Sequence, residues 1–143
     1  MLSQSTKQWM SENEYDIESI DKVGKYGNTA LMKAVREGRS DITKELLEAG
    51  AALEIRNIDG NTALWNASFG QDYECVKLLV EAGIELDSKN DNGVTALMYC
   101  ASAGKTDMVK LLLEYKANKE ITNLDDFKAI DLAANAQIYR LLK

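Results

Sequence analysis

Between residues 62 and 83 the small and apolar residues fall into two short runs separated by a polar break. Leu64, Ala67 and Ser68 lie at i, i+3 and i+4, one face of a short helix. After Gly70-Gln71-Asp72 come Cys75, Val76, Leu78, Leu79 and Val80, which predict a second, amphipathic helix. Thr62 and Asp72 precede the two runs and suit N-caps, because a side-chain oxygen there accepts from a free N–H of the first turn. Ala82-Gly83 ends the second run, with glycine suited to a left-handed residue after a helix. Upstream, Asn57-Ile58-Asp59-Gly60-Asn61 is a tight-turn signal, with Gly60 free to take a positive φ.

The same order of turn, helix, break and helix occurs on either side. One copy has Leu31, Ala34 and Val35, a break at Gly38, a cap at Ser40 or Asp41, then Ile42, Leu46 and Leu47. The other has Leu97, Cys100 and Ala101, a break at Gly104, a cap at Thr106, then Met108, Val109 and Leu111 to Leu113. Thr29-Ala30-Leu31, Thr62-Ala63-Leu64 and Thr95-Ala96-Leu97 are spaced by 33 residues, and Lys128-Ala129-Ile130 follows on the same beat. A fixed period of this size predicts a small helical unit stacked on copies of itself, an architecture that presents a concave binding surface. The spacing divides a single domain into full repeats at 24–56, 57–89 and 90–122, an N-terminal cap at 1–23 and a capping repeat at 123–143. In the N-terminal cap a helix from Ser5 to Asn13 is expected to bury Trp9 and Met10, with Ile17 and Ile20 under the first turn. At the other end, Ala129 to Ala134 is expected to form a first helix, and Ile138, Leu141 and Leu142 a shortened second one. With both ends capped, the chain is expected to be a complete small protein.

The 33-residue period, the turn glycines Gly27, Gly60 and Gly93, the Thr-x-Leu signature and the second-helix leucines agree in register. In these features the chain resembles the ankyrin repeat family over roughly residues 20–143. The resemblance implies an all-α repeat solenoid of helix-turn-helix units with β-hairpin fingers, stacked in a right-angled L shape. There are departures. Ala30, Ala63 and Ala96 stand where the family has proline, and Met32, Trp65 and Met98 where it has a bracing histidine. Gln71 and Lys116 occupy positions of the family's loop glycines, so these loops are expected to be shifted or strained.

Composition narrows the chemistry. The chain has no histidine, which removes Ser-His-Asp and Cys-His arrangements and histidine-containing zinc sites. Cys75 and Cys100 fall at apolar helix positions and are read as buried small hydrophobes. Asp125-Asp126 falls in a turn rather than in a shielded acid–base pocket. The single turn glycines do not form a phosphate loop. No enzymatic activity, cofactor or metal is therefore expected. A net charge of −6 argues against nucleic acid and anionic membrane as partners. With two cysteines and no apolar leader or membrane-length stretch, the expectation is a cytoplasmic monomer.

Carried over by position, the family's contact surface falls on finger and first-helix residues. Its candidates are Tyr26, Asn28 and Arg36, then Ile58, Asp59, Asn61, Asn66 and Phe69, then Asp91, Asn92, Val94, Tyr99 and Ser102, and finally Asp125 and Phe127. Several are aromatic or apolar, the residue types that anchor interfaces. Residues 57–89 carry a charge of −4 through Asp59, Asp72, Glu74, Glu81, Glu85 and Asp87, while residues 24–56 carry +1. Such an acidic centre suits a basic protein partner. The expected function is non-catalytic protein binding through the concave face. A small acidic inhibitor of a basic toxin or enzyme, and an assembly or effector scaffold, are the alternatives.

Overall fold

The computed structural model describes residues 1–143 as eight α-helices and two short 3-10 turns, with no strands. The helices are α1 (Gln4–Glu12), α2 (Ala30–Arg36), α3 (Ser40–Glu48), α4 (Ala63–Gly70), α5 (Tyr73–Glu81), α6 (Ala96–Ser102), α7 (Thr106–Glu114) and α8 (Ala136–Leu142). The short turns are Lys25–Gly27 and Ala129–Leu132. The chain divides into two compact units, Met1–Ile84 and Glu85–Lys143.

In the first unit, α2 packs on α3 and α4, and α5 packs on α3 and α4. Leu31, Val35, Ile42, Leu46, Leu64, Ala67, Val76 and Leu79 fill the space between them. These are the i, i+3, i+4 positions that the repeat pattern selects, so one apolar face per helix makes this core. α4 approaches α2 closely. A Cβ on Gly70 would run into the carbonyl oxygen of Arg36 and lie 3.1 Å from its Cα. The N-terminal helix is tied on by Glu45 of α3. Its carboxylate accepts from the Ser3 amide and from the hydroxyls of Ser3 (2.9 Å) and Thr6 (3.0 Å). Trp9 and Met10 are buried as expected, whereas Ile17 is exposed and does not tuck under the turn that follows.

In the second unit, α6 packs on α7 and on the Ala129–Leu132 turn, and α8 packs on α7 and that same turn. Leu97, Met98, Met108, Val109, Leu112 and Ile138 make its core. The expected helix over 129–134 is only this four-residue turn. Asn135 then caps α8 by accepting from the Ile138 amide at 2.8 Å.

Thr29, Thr95 and Asp72 accept from Met32, Met98 and Cys75 amides and cap α2, α6 and α5. Thr62 makes no such side-chain bond to α4. Ser40 and Thr106 are the first helical residues of α3 and α7, so Arg39 and Lys105 hold the cap positions without a capping bond. Gln71 (φ 58°) and Lys116 (φ 74°) take the left-handed conformation that Gly38, Gly104, Gly50 and Gly83 take at the equivalent places. The loops therefore keep their paths, at the backbone cost of a Cβ in that region.

The fingers are closed turns rather than β-hairpins. Asn57 N donates to Asn61 O and Gly60 N to Asn57 O. The same pair of bonds joins Asn90, Gly93 and Val94, and again Asn123, Asp126 and Phe127. The bonds close within five residues, and after Asn61, Val94 and Phe127 the chain enters the next helix or 3-10 turn within two residues, which leaves no second strand to extend the ladder. An asparagine side chain organises each of these turns. The Oδ1 of Asn57 accepts from the amides of Asp59 and Asn61, that of Asn90 from Asn92 and Val94, and that of Asn123 from Asp125 and Phe127. In the first finger Gly24 stands at that position, and Tyr26 (φ 61°) and Gly27 (φ 73°) are both left-handed.

A pH effect follows from the Glu45 clasp. Its hydrogen bonds, first that from the Ser3 amide, hold the carboxyl below the ordinary carboxylate range. A depressed folded pKa gives stability that is present above the unfolded value and lost as pH falls through the folded one. Protection factors of the α1 amides are expected to fall below about pH 4 while those of α5 hold. Equal protection of α1 at pH 7 and pH 3 would remove the clasp's role.

Candidate functional site

The candidate contact residues are placed separately in the two units. In the first, the finger tips are open, with Tyr26 60% and Ile58 64% exposed. The two fingers are stitched together, since Ile58 N donates to Tyr26 O at 3.0 Å and Asn57 Nδ2 to Asn28 Oδ1 at 2.9 Å. Asp59 and Arg36 are also exposed, and Asn28 is half-buried. Arg36 and Phe69 occupy the same repeat position, and the structure brings them together. The Arg36 guanidinium lies 4.0 Å from the Phe69 ring centroid. Phe69, 40% exposed, stacks on Trp65 at 5.7 Å with the rings 14° apart. A cation over an aromatic face holds that ring and that charge in fixed relation.

Two of the candidates do not belong on an open surface. Asn61 is 4% and Asn66 is 1% exposed. Asn66 Nδ2 donates back to Thr62 O at 3.1 Å, and Asn61 closes the finger through its backbone. Transfer by repeat position places both outward, whereas the fold buries both and uses the Asn66 side chain to satisfy a backbone carbonyl.

Beside Tyr26 and Arg36 the first unit carries a cleft of about 460 Å³. Its walls come from three places: Glu12 to Tyr15 at the end of α1 and beyond it, Lys25, Tyr26 and Asn28 of the first finger, and Lys33 and Arg36 of α2, with Asn66 also on its lining. Glu37 fixes two neighbouring groups. It pairs with Lys33 at 3.1 Å and accepts from Trp9 Nε1 at 3.3 Å. Tyr15 stacks on Trp9 at 6.2 Å, and burial, with the Glu37 charge, raises its phenol pKa above the ordinary value. Lys25 Nζ lies 5.2 Å from the Tyr26 ring centroid. Lys25 belongs to the first finger of the carried-over contact surface, whereas Tyr15 and Lys33 lie outside it. The wall from Glu12 to Tyr15 lies in the N-terminal cap, which has no counterpart in the full repeats, so repeat position alone does not mark it.

In the second unit, Asp91, Asn92, Ser102, Asp125 and Phe127 are exposed, and Val94 and Tyr99 are half-buried. Leu124 N donates to Asn92 O at 3.2 Å and stitches these two fingers. Lys105 Nζ lies 5.8 Å from the Tyr99 ring centroid, and Ser102 Oγ donates to Tyr99 O.

The acidic residues around 57–89 are partly structural. Asp72 caps α5, and Asp87 accepts from the Asn118 amide at 2.8 Å. Asp21 makes the equivalent bond to Ala52 N at 2.9 Å. Cys75 and Cys100 are both buried, and neither is in a disulfide. No three histidine, cysteine, aspartate or glutamate side chains gather in a metal-holding group, and no helix is long and apolar enough to cross a membrane.

Among known families, the model described as ankyrin repeats (3 copies) matches residues 3–90 and 85–143. Comparison with curated proteins found no match.

Proposed function

Since the chain belongs to the ankyrin repeat family, whose repeats are generic protein–protein interaction modules in a non-enzymatic fold, we propose that it binds a folded protein partner through its finger tips and the exposed ends of its first helices. The observation that carries this reading is the Arg36–Phe69–Trp65 stack. A ring 40% exposed to water, yet fixed by a guanidinium at 4.0 Å, is a preordered anchor that loses little entropy on binding. Tyr26 and Ile58 add exposed apolar area in the same unit. Leu124 and Phe127 offer a second exposed apolar set in the other. A monomer in the cytoplasm, acting as an adaptor rather than as an inhibitor, fits this reading.

The test is affinity capture from native lysate, comparing the wild-type chain with a Tyr26→Ala, Phe69→Ala, Phe127→Ala variant. The partner is expected to be lost from the variant. For the single change Phe69→Ala, affinity for that partner is expected to fall at least about tenfold, with a melting temperature within about 5 °C of the parent. A large loss of stability with unchanged affinity would make Phe69 a core residue and remove the anchor.

A further inference from the structure

The net charge of −6 points toward a basic partner, but the cleft beside Tyr26 has the opposite polarity on its finger and α2 side. We propose that this side of the cleft takes a short acidic segment of the protein partner, its carboxylates received by Lys25 and Arg36. The inference rests on the binding face proposed above and assigns the chemistry of what enters it.

The two sides of the cleft differ in sign: Glu12 ends α1 and Glu14 follows it, while Lys25, Lys33 and Arg36 come from the finger and α2. Lys33 is already neutralised by Glu37. Lys25 and Arg36 have no carboxylate partner and are instead held near aromatic rings, at 5.2 Å from the Tyr26 centroid and 4.0 Å from that of Phe69. A guanidinium near a ring face keeps its N–H edge for a carboxylate, and Arg binds carboxylates in a planar, two-bond geometry. The flanking Tyr15 and Tyr26 rings offer apolar surface for residues next to those carboxylates. The volume, about 460 Å³, suits a few side chains rather than a whole helix. The acidic wall adds selectivity. A continuous polyanion such as nucleic acid would place charge against Glu12 and Glu14, whereas a short acidic segment need not.

The experiment uses the full chain and a blocked, soluble peptide of glutamate, leucine and serine at low salt. Two matched peptides replace glutamate by glutamine or by lysine. Amide chemical shifts are followed by NMR. The glutamate peptide is expected to move the resonances of Tyr15, Tyr26 and Arg36. The glutamine peptide should bind about tenfold more weakly, and a Lys25→Gln, Arg36→Gln variant should lose about tenfold toward the glutamate peptide. Both substitutions are at exposed positions, and an unchanged melting curve confirms the variant's fold. The inference is overturned if the lysine peptide moves the cleft resonances as strongly, or if the glutamate peptide leaves them in place. In either case, continued loss of the captured partner from the triple-alanine variant would leave the binding face itself standing.

Discussion

Replacing Gly70 by alanine is expected to destabilise the chain by about 2 kcal/mol in urea unfolding. Two effects oppose each other. Alanine inside a helix gains roughly 1 kcal/mol over glycine from its better propensity. Against this, the new Cβ would overlap the Arg36 carbonyl oxygen and press on its carbonyl carbon at 3.0 Å. Those are backbone atoms of a packed helix, and overpacking against a rigid neighbour costs roughly 3 kcal/mol. The clash wins. The equivalent positions in the flanking repeats hold Glu37 and Ala103, so the repeat itself does not demand glycine here. The demand is local, set by how closely α4 meets the end of α2. Because Arg36 and Phe69 sit beside this contact, the same substitution should loosen the ring–guanidinium stack and weaken partner binding. A Gly70→Ala chain as stable as the parent would mean that the two helix ends separate at no cost.

The second large effect is chemical. Cys75 is fully buried, its Sγ 3.7 Å from Thr43 Oγ1. Burial, opposed by the Thr43 hydroxyl and aided by the Asp72 and Glu74 charges, pushes its pKa up to about 12. The reactive species is the thiolate. At pH 8 its population in the folded chain is about a thousandfold below that of an ordinary thiol. Iodoacetamide labelling of Cys75, followed by peptide mapping, should therefore be slower by about three orders of magnitude in the native chain than in urea. Rapid native labelling would show that α5 opens or that the thiol is not buried. The raised pKa also has a stability consequence. The folded state holds this proton to higher pH than the unfolded chain does. The contribution is therefore complete below the usual thiol value of 9.0 and is lost as pH climbs from there toward about 12. Such a thiol is a poor nucleophile, in keeping with the non-enzymatic character of the family.

The fold was legible because its cause is periodic. Leu31, Leu64 and Leu97 recur every 33 residues and are all buried, as are Leu46, Leu79 and Leu112. The rest is set at single positions. Gln71 and Lys116 take left-handed backbones because the surrounding helices fix the loop path, whatever residue stands there. Thr62 has the same sequence context as Thr29 and Thr95, yet makes no capping bond. Its failure to cap has no signal in the repeat pattern. The candidate site was legible where repeat positions stack, as with Arg36 and Phe69. It was illegible where a polar residue turns inward, as Asn66 does, and where a non-repeating segment joins the wall, as Tyr15 does. Asp87 was counted with the surface charge, but its carboxylate is occupied by a backbone amide 31 residues downstream.

The asparagine-closed fingers separate two jobs that are usually entangled in a loop. Asn57, Asn90 and Asn123 hold the backbone through their own amide oxygens, and the tip residues contribute only main-chain N–H groups to that closure. Side chains at 58 and 59, 91 and 92, or 124 and 125 can then be exchanged without rewriting the turn. A family of variants randomised at those six positions would share one skeleton and differ in what it grips, so selection on this scaffold could explore recognition while folding stays constant.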